Sequence, residues 1–233
     1  MTKQKVEFKV GEDKLGGTLF IPSGKGPFPG VIFFHGSGGV GEVPFETAEL
    51  LSHHGILGFA FNYRGAGLSG GDFENQTIKM GIADGKAAVD FFLSVPELDK
   101  NRLGFAGVSF GGYVSSSLCN KYKVKSFALN APAAYSPKAI ANQRNADRDL
   151  NIGFYDSNSY GEIEDYKGKL LVSICELDDV LPKGMAEEYF DRAINVAKKE
   201  KYIIKGAGHR LSIDPPRKND YQNKVIDWFS ETL

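Results

Sequence analysis

The sequence Leu-Gly-Phe-Ala-Gly-Val-Ser-Phe-Gly-Gly at residues 103–112 contains the pattern Gly-x-Ser-x-Gly around Ser109. The apolar run before the serine predicts a buried strand over Leu103–Val108, and the residues after it are compatible with a helix over Phe110–Asn120. A strand that runs through a sharp turn into a helix presents the serine hydroxyl at the end of a sheet. The glycines two residues before and after the serine permit the close packing that this strained turn requires. We therefore predict that Ser109 is a nucleophile.

A second Gly-x-Ser-x-Gly match surrounds Ser69, at residues 67–71. Ser69 is followed by Gly-Gly-Asp-Phe-Glu-Asn, whose glycines, aspartate and asparagine are typical of turns rather than of a helix. Because the strand–turn–helix context is missing, we interpret Ser69 as a turn residue.

Strand-type and helix-type patterns alternate on both sides of Ser109. The predicted strands are Lys5–Val10, Leu15–Ile21, Val31–Phe34, Ile56–Tyr63, Leu103–Val108, Lys125–Leu129, Lys169–Ile174 and Tyr202–Lys205. The predicted helices are Pro44–His54, Thr77–Leu93, Phe110–Asn120, Met185–Val196 and Asn219–Thr232. The first two strands, separated by Gly-Glu-Asp, favour a hairpin. The alternation predicts a single α/β domain over residues 1–233, with a mostly parallel central sheet flanked by helices.

A serine hydroxyl needs a general base and a group that orients the base. In hydrolases with this strand–turn–helix nucleophile, an acid and then a histidine follow the serine in the chain. His209 is the only histidine after Ser109, and it stands just beyond the last predicted strand in Gly-Ala-Gly-His. We predict that it is the base. His53 and His54 end a predicted helix and are interpreted as surface residues, while His35 is interpreted as a structural hydrogen-bonding residue.

The acid is expected in the loop Glu176–Pro182, at the carboxyl end of the strand Lys169–Ile174. Catalytic groups on parallel sheets gather at that end. Asp178 is the first choice and Asp179 the second, and Glu176 is less suitable because it is close enough to the strand to belong to it. The alternative is that both aspartates are simply solvated.

The glycine-rich sequence His35–Gly39 follows the strand Val31–Phe34. Backbone N–H groups held in such a turn can stabilise the negative charge that develops on a carbonyl oxygen during acyl transfer. We predict that the amides of Ser37 and Phe110 form this oxyanion hole. Glycine-rich loops also bind phosphates, but neither the P-loop pattern nor a dinucleotide fingerprint is present. No metal or cofactor is expected.

These segments together, in this order, resemble the α/β-hydrolase superfamily over nearly the whole chain. The resemblance rests on His35–Gly39, Asn62–Gly70, Gly107–Gly111, Asp178–Pro182 and Gly208-His209. It implies an α/β-hydrolase fold, and it favours Asp178 over Asp179 because the aspartate of these families typically stands four residues before a proline. Within the superfamily the chain is most similar to compact bacterial esterases of the dienelactone-hydrolase and cinnamoyl-esterase types. It also resembles the catalytic domains of serine aminopeptidases and prolyl-oligopeptidase-type enzymes.

Residues 133–167 interrupt the alternation of strands and helices. This polar stretch is too long for a structureless loop in a compact domain, so we expect a small cap insertion near the pocket. Tyr135, Arg148 and Tyr155 are candidates for binding substrate there. Arginines in the cap would favour an acidic acyl group, although a solvated outer face explains them equally well.

The net charge of −1 and the isoelectric point of about 6.4 provide no general attraction for nucleic acid or an anionic membrane. The N-terminal ten residues lack the apolar core of a signal peptide, and Cys119 and Cys175 fall in predicted core elements. We therefore expect a cytoplasmic protein with a small-molecule ester or short-peptide substrate and an oligomeric state that the sequence leaves open.

The predicted function is ester hydrolysis by a Ser-His-Asp triad. Peptidase or amidase activity, thioesterase activity and a non-catalytic binding role are the alternatives.

Overall fold

The computed structural model describes residues 1–138 and 154–233, which form one eight-stranded sheet between two layers of helices. The strands are β1 (Thr2–Val10), β2 (Asp13–Ile21), β3 (Phe28–Phe34), β4 (Leu57–Phe61), β5 (Leu98–Val108), β6 (Val124–Asn130), β7 (Lys169–Cys175) and β8 (Lys198–Ile204). Their order across the sheet is β1-β2-β4-β3-β5-β6-β7-β8. The predicted hairpin of β1 and β2 is antiparallel and adds to β4, and the six strands from β3 to β8 are parallel.

The α-helices are α1 (Glu42–His53), α2 (Ile78–Leu93), α3 (Phe110–Ser116), α4 (Asn158–Asp165), α5 (Met185–Arg192) and α6 (Pro215–Thr232). Successive residues of a strand point to opposite faces of a sheet. A side chain at Gly30 would meet Phe92 of α2, whereas one at Gly104, the partner of Val31, would meet Phe229 of α6. The helices α2 and α6 therefore cover opposite faces, and the sequence-based α/β-hydrolase fold is confirmed.

The packing of α3 brings Ser109 to the carboxyl end of the sheet. A Cβ atom on Gly111 would lie only 2.1 Å from the carbonyl oxygen of Phe34, and one on Gly112 would lie 2.7 Å from Cβ of Pro132. The two glycines thus let α3 rest directly on the chain that leaves β3 and β6. Ser109 is consequently held where several strands end together.

The observed elements differ from the predicted ones mainly at their ends. Strand β8 begins at Lys198 rather than Tyr202, because its first four residues, Lys-Lys-Glu-Lys, are all charged and conceal the β pattern. Charges of this kind also protect an edge strand from pairing. Helix α5 ends at Arg192, since the next residue, Ala193, has ψ 71° and leaves the helical conformation. Helix α3 ends at Ser116, earlier than predicted.

Part of the predicted cap insertion, residues 133–138 and 154–167, is described. It contains a short 3₁₀ turn at Phe154–Asp156 followed by α4, whose Tyr160 and Ile163 are fully buried. Helix α4 packs against α3 and α5, so this part of the insertion belongs to the body of the domain. In the described ranges, no helix combines the length and the apolar character that crossing a bilayer requires.

Candidate active site

The three residues predicted as a catalytic triad meet at the carboxyl end of the sheet. Ser109 follows β5, Asp178 follows β7, and His209 follows β8. Nε2 of His209 lies 3.0 Å from Oγ of Ser109, and Nδ1 of His209 lies 2.7 Å from Oδ2 of Asp178. The histidine and aspartate side chains are only 11% and 15% exposed, which keeps the hydrogen bond between them out of bulk water. The imidazole can therefore accept a proton from the serine while the carboxylate orients it.

The loop after β7 fixes the carboxylate of Asp178. Its Oδ1 accepts hydrogen bonds from the backbone N–H groups of Val180 and Leu181, at 2.9 and 3.0 Å, which leaves Oδ2 for His209. Burial raises the pKa of Asp178. The hydrogen bonds from His209 and from the two amides together lower it by more, so the pKa of Asp178 lies below its ordinary value. Asp178 is therefore ionised wherever a histidine base would operate.

The other two acidic residues of this loop form no hydrogen bond with the imidazole. Asp179 is exposed and lines a neighbouring depression together with His209, and Glu176 accepts the N–H of Gly206 at 2.8 Å. The structure thus brings Asp178, rather than Asp179 or Glu176, to the histidine.

Ser109 has the strained backbone of a sharp strand-to-helix turn, with φ 52° and ψ −118°. Its N–H donates to the carbonyl of Asn130, and its own carbonyl accepts from Ala133 N–H at 3.0 Å. A conformation of this kind costs about 1–3 kcal/mol and persists only when its surroundings impose it. The serine of the second sequence match has a different role: Oγ of Ser69 donates to the carbonyl of Asn62 and accepts from Gly16 N–H, so Ser69 stabilises a turn.

The loop after β3 lies against Ser109. A Cβ atom on Gly36 would be 3.4 Å from Cβ of Ser109, which is an ordinary van der Waals contact. Ser37 lines the same cavity as Ser109, and Phe110 is the first residue of α3. The two residues predicted to supply oxyanion-hole amides therefore lie on either side of Ser109.

His35 is buried and holds this loop in place through two hydrogen bonds. Its Nε2 accepts the N–H of Tyr63 at 3.1 Å, and its Nδ1 is 2.7 Å from the carbonyl of Gly36, which makes Nδ1–H the donor. Burial lowers the pKa of His35 to about 4, although the hydrogen bond to Gly36 opposes this effect. His35 is therefore a neutral structural residue, in agreement with its sequence interpretation.

A cavity of about 430 Å³ opens beside Ser109 and His209. Its lining comes from the loop after β3, the start of α1, the ends of β5 and β6, and the segment after β8. Sequence reasoning missed Asn130 and Leu211, which lie in this wall. A polar residue at the carboxyl end of an apolar strand was the available signal for Asn130.

The residues predicted to bind substrate lie elsewhere or outside the described ranges. Tyr135 is only 4% exposed, and its ring packs edge-on against Tyr113 at 4.9 Å, so it belongs to the core. Tyr155 is 60% exposed and lines a depression next to Asp156 and Arg192. The structure brings neither tyrosine into the wall of the cavity beside Ser109, and Arg148 falls in residues 139–153, outside the described part.

Cys119 and Cys175 are free and buried, as their sequence context predicts. Within residues 1–138 and 154–233, no group of three or more His, Cys, Asp or Glu side chains is arranged to hold a metal ion.

Comparison with known proteins identifies one matching family and several curated relatives. The model of the prolyl oligopeptidase family matches residues 43–233. Among curated proteins, a bile acid-CoA:amino acid N-acyltransferase of Mus musculus is 29% identical over 164 residues, which are 68% of this chain and 37% of that protein. A peroxisomal succinyl-coenzyme A thioesterase of Mus musculus is 32% identical over 108 residues, 45% of this chain and 24% of that protein. The chain spans about half, or less, of the length of the curated relatives it matches first.

Among solved structures, an esterase of Pyrococcus furiosus superposes with a TM-score of 0.75 at 21% identity, covering 99% of this chain and 93% of that one. At this level of identity, the similarity demonstrates a shared fold.

Proposed function

This chain belongs to the prolyl oligopeptidase family, and we propose that it is a serine carboxylesterase that cleaves a small ester through an acyl-enzyme. The observation that supports this proposal most strongly is the continuous hydrogen-bonded series Ser109–His209–Asp178, with distances of 3.0 and 2.7 Å. A hydroxyl, an imidazole and a buried carboxylate in this arrangement are suited to nucleophilic attack on a carbonyl.

In the proposed mechanism, Ser109 Oγ attacks the ester carbonyl carbon while His209 Nε2 takes its proton. Asp178 stabilises the resulting imidazolium, and the amides of Ser37 and Phe110 bind the oxyanion. The tetrahedral intermediate collapses, the C–O bond to the leaving group breaks, and His209 gives its proton to the departing alcohol. A water molecule, deprotonated by His209, then attacks the acyl-enzyme; the acid is released and Ser109 regains its proton.

The kinetics of two serine variants test this assignment. Ser109→Ala is expected to lower kcat for a p-nitrophenyl ester by about 10⁴–10⁶, the range found for loss of a nucleophile. Ser69→Ala is the matched control, because Ser69 occupies the same Gly-x-Ser-x-Gly pattern but stabilises a turn. Retention of more than a tenth of the activity by Ser109→Ala would refute the proposal, provided that no other esterase contaminates the preparation.

The charges around the cavity favour a simple ester over a coenzyme A thioester. The charged residues at its described rim and in the neighbouring depression are Glu42, Asp179, Arg210 and Asp214. One arginine beside three acids offers little attraction to the phosphates of coenzyme A, which are recognised mainly by arginine and lysine. We therefore expect kcat/KM to be higher for p-nitrophenyl butyrate than for butyryl-coenzyme A. The reverse order would favour the thioesterase alternative.

Family membership gives peptidase activity on short peptides as the second candidate. The same triad cleaves an amide if the leaving amine is protonated by His209. Faster turnover of aminoacyl p-nitroanilides than of p-nitrophenyl esters with the same acyl group would favour a peptidase.

A further inference from the structure

The described wall of the cavity beside Ser109 contains a buried polar side chain, Asn130, that neither the acyl-enzyme mechanism nor the anchoring of a loop uses. Asn130 is the last residue of β6, is only 1% exposed, and lines the cavity together with Ser109 and His209. Its register partners are Val108 on β5 and Ser173 on β7, so it sits in the middle of the sheet at the carboxyl end.

The backbone of Asn130 is locked to the nucleophile. Its carbonyl accepts the N–H of Ser109 at 3.1 Å, and the following residue, Ala131, donates its N–H to the carbonyl of Ser173 at 2.9 Å. Ala131 has φ 41°, one of two non-glycine residues with positive φ in the described chain; the other is Ser109. Strain of this kind concentrates at functional sites. The position of Asn130 relative to Ser109 is thus fixed by two strained residues.

The side-chain oxygen of Asn130 has no partner within the described chain: Oδ1 is buried and accepts no hydrogen bond there. The other buried polar side chain of the wall, His35, uses both ring nitrogens, and Ser37 and Ser212 are exposed. Buried amide oxygens in native proteins are nearly always paired, because leaving one unpaired is costly. A buried, unpaired oxygen in the wall of a cavity therefore suggests that a bound molecule supplies the missing donor.

We infer that Asn130 is a specificity-determining residue whose amide binds a hydroxyl group of the substrate, so that the natural ester is hydroxylated on the part that fills this cavity. This inference rests on the proposed esterase function. A hydroxyl fits because it donates to the amide oxygen and can accept from the amide N–H in turn. A charged group fits less well, because His35 is neutral and the charged residues Glu42 and Arg210 lie at the exposed rim.

The test compares ester pairs that differ by one hydroxyl. The acyl pair is p-nitrophenyl butyrate and p-nitrophenyl 3-hydroxybutyrate. The alcohol pair is butyl acetate and 3-hydroxybutyl acetate, whose hydrolysis is measured by the release of acid. The wild type should prefer the hydroxylated member of one pair by at least about tenfold in kcat/KM, since sites built to bind a hydroxyl discriminate strongly against analogues without it. Asn130→Leu, which keeps the branched shape and removes the amide, should lower that preference by about 10- to 100-fold. Asn130→Ala provides a second variant if the leucine variant does not fold.

Ser173→Ala is the matched control. Oγ of Ser173 is also buried and unpartnered in the described chain and stands beside Asn130 in register, but Ser173 is not part of the cavity wall. Its removal should leave the hydroxyl preference unchanged. Equal kcat/KM within both ester pairs for the wild type, or a preference that survives both substitutions of Asn130, would overturn the inference while leaving esterase activity established. Failure to hydrolyse any ester would instead overturn the proposed function and this inference with it.

Discussion

The buried neutral state of His35 makes the stability of the protein dependent on pH in a way that one substitution should remove. His35 holds the loop after β3 through Tyr63 N–H and the carbonyl of Gly36, and Nε2 can accept only while the ring is neutral. The substitution His35→Gln retains an acceptor for the N–H of Tyr63 but removes the group that titrates. Below the pKa of an unfolded histidine, the unfolded chain binds a proton that the folded protein excludes.

The size of this effect follows from the pKa. Burial lowers the pKa of His35 from 6.5 to about 4. At about 1.4 kcal/mol per pH unit, the difference corresponds to about 3 kcal/mol of unfolding free energy. Because the folded-state pKa is the lower one, this stability is fully present above pH 6.5, is lost progressively as the pH falls, and is nearly gone at pH 4.

Urea unfolding at several pH values between 4 and 7.5 measures this contribution. The free-energy difference between wild type and His35→Gln should fall by about 3 kcal/mol across that range, because carboxylates that titrate in both proteins cancel. His53→Gln, at the exposed end of α1, is the matched control for replacing a histidine by glutamine. A difference between wild type and His35→Gln that stays constant with pH would refute the assignment of His35 as a buried neutral residue.

Three further substitutions test the framework around the nucleophile. Asp178→Asn should lower kcat by about 10⁴ with an unchanged circular dichroism spectrum, because the amide no longer orients His209; a loss below tenfold would contradict the role of this residue. Arg64→Leu should destabilise the fold by about 3–5 kcal/mol in urea, because it leaves the fully buried carboxylate of Asp84 without the guanidinium 2.7 Å away; adding Asp84→Leu should recover most of the loss, and additive effects would contradict this explanation. Gly111→Ala should abolish activity or soluble folding, because its Cβ would lie 2.1 Å from the carbonyl oxygen of Phe34, and full activity would show that α3 can shift.

The sequence was sufficient to predict the fold and the positions of the catalytic candidates. Ser109 and Asp178 each follow an apolar strand, His209 follows the last predicted strand, and strand ends in a parallel sheet meet at one edge. The preference for Asp178 over Asp179 depended on the family resemblance, and the structure provides the physical reason: the amides of Val180 and Leu181 hold the Asp178 carboxylate toward His209.

The walls of the cavity were not predictable in the same way. Tyr135 was expected to bind substrate because it begins an insertion, but the structure places its ring against Tyr113 in the core. Asn130 was overlooked because in the sequence it is only the residue that ends an apolar strand. That its side-chain oxygen is buried and unpaired in the described chain depends on the three-dimensional positions of its neighbours. Which side chains line a cavity depends on tertiary contacts that local sequence patterns do not encode.

We propose that Ser109 is a nucleophile activated by His209, and fluorophosphonate labelling of the purified protein, with the modified peptide located by mass spectrometry, tests this proposal directly. We expect an adduct on Ser109, none on Ser69, and a strong reduction of labelling in the His209→Ala variant. No adduct on Ser109 in a folded protein, or labelling at the same rate without His209, would contradict it.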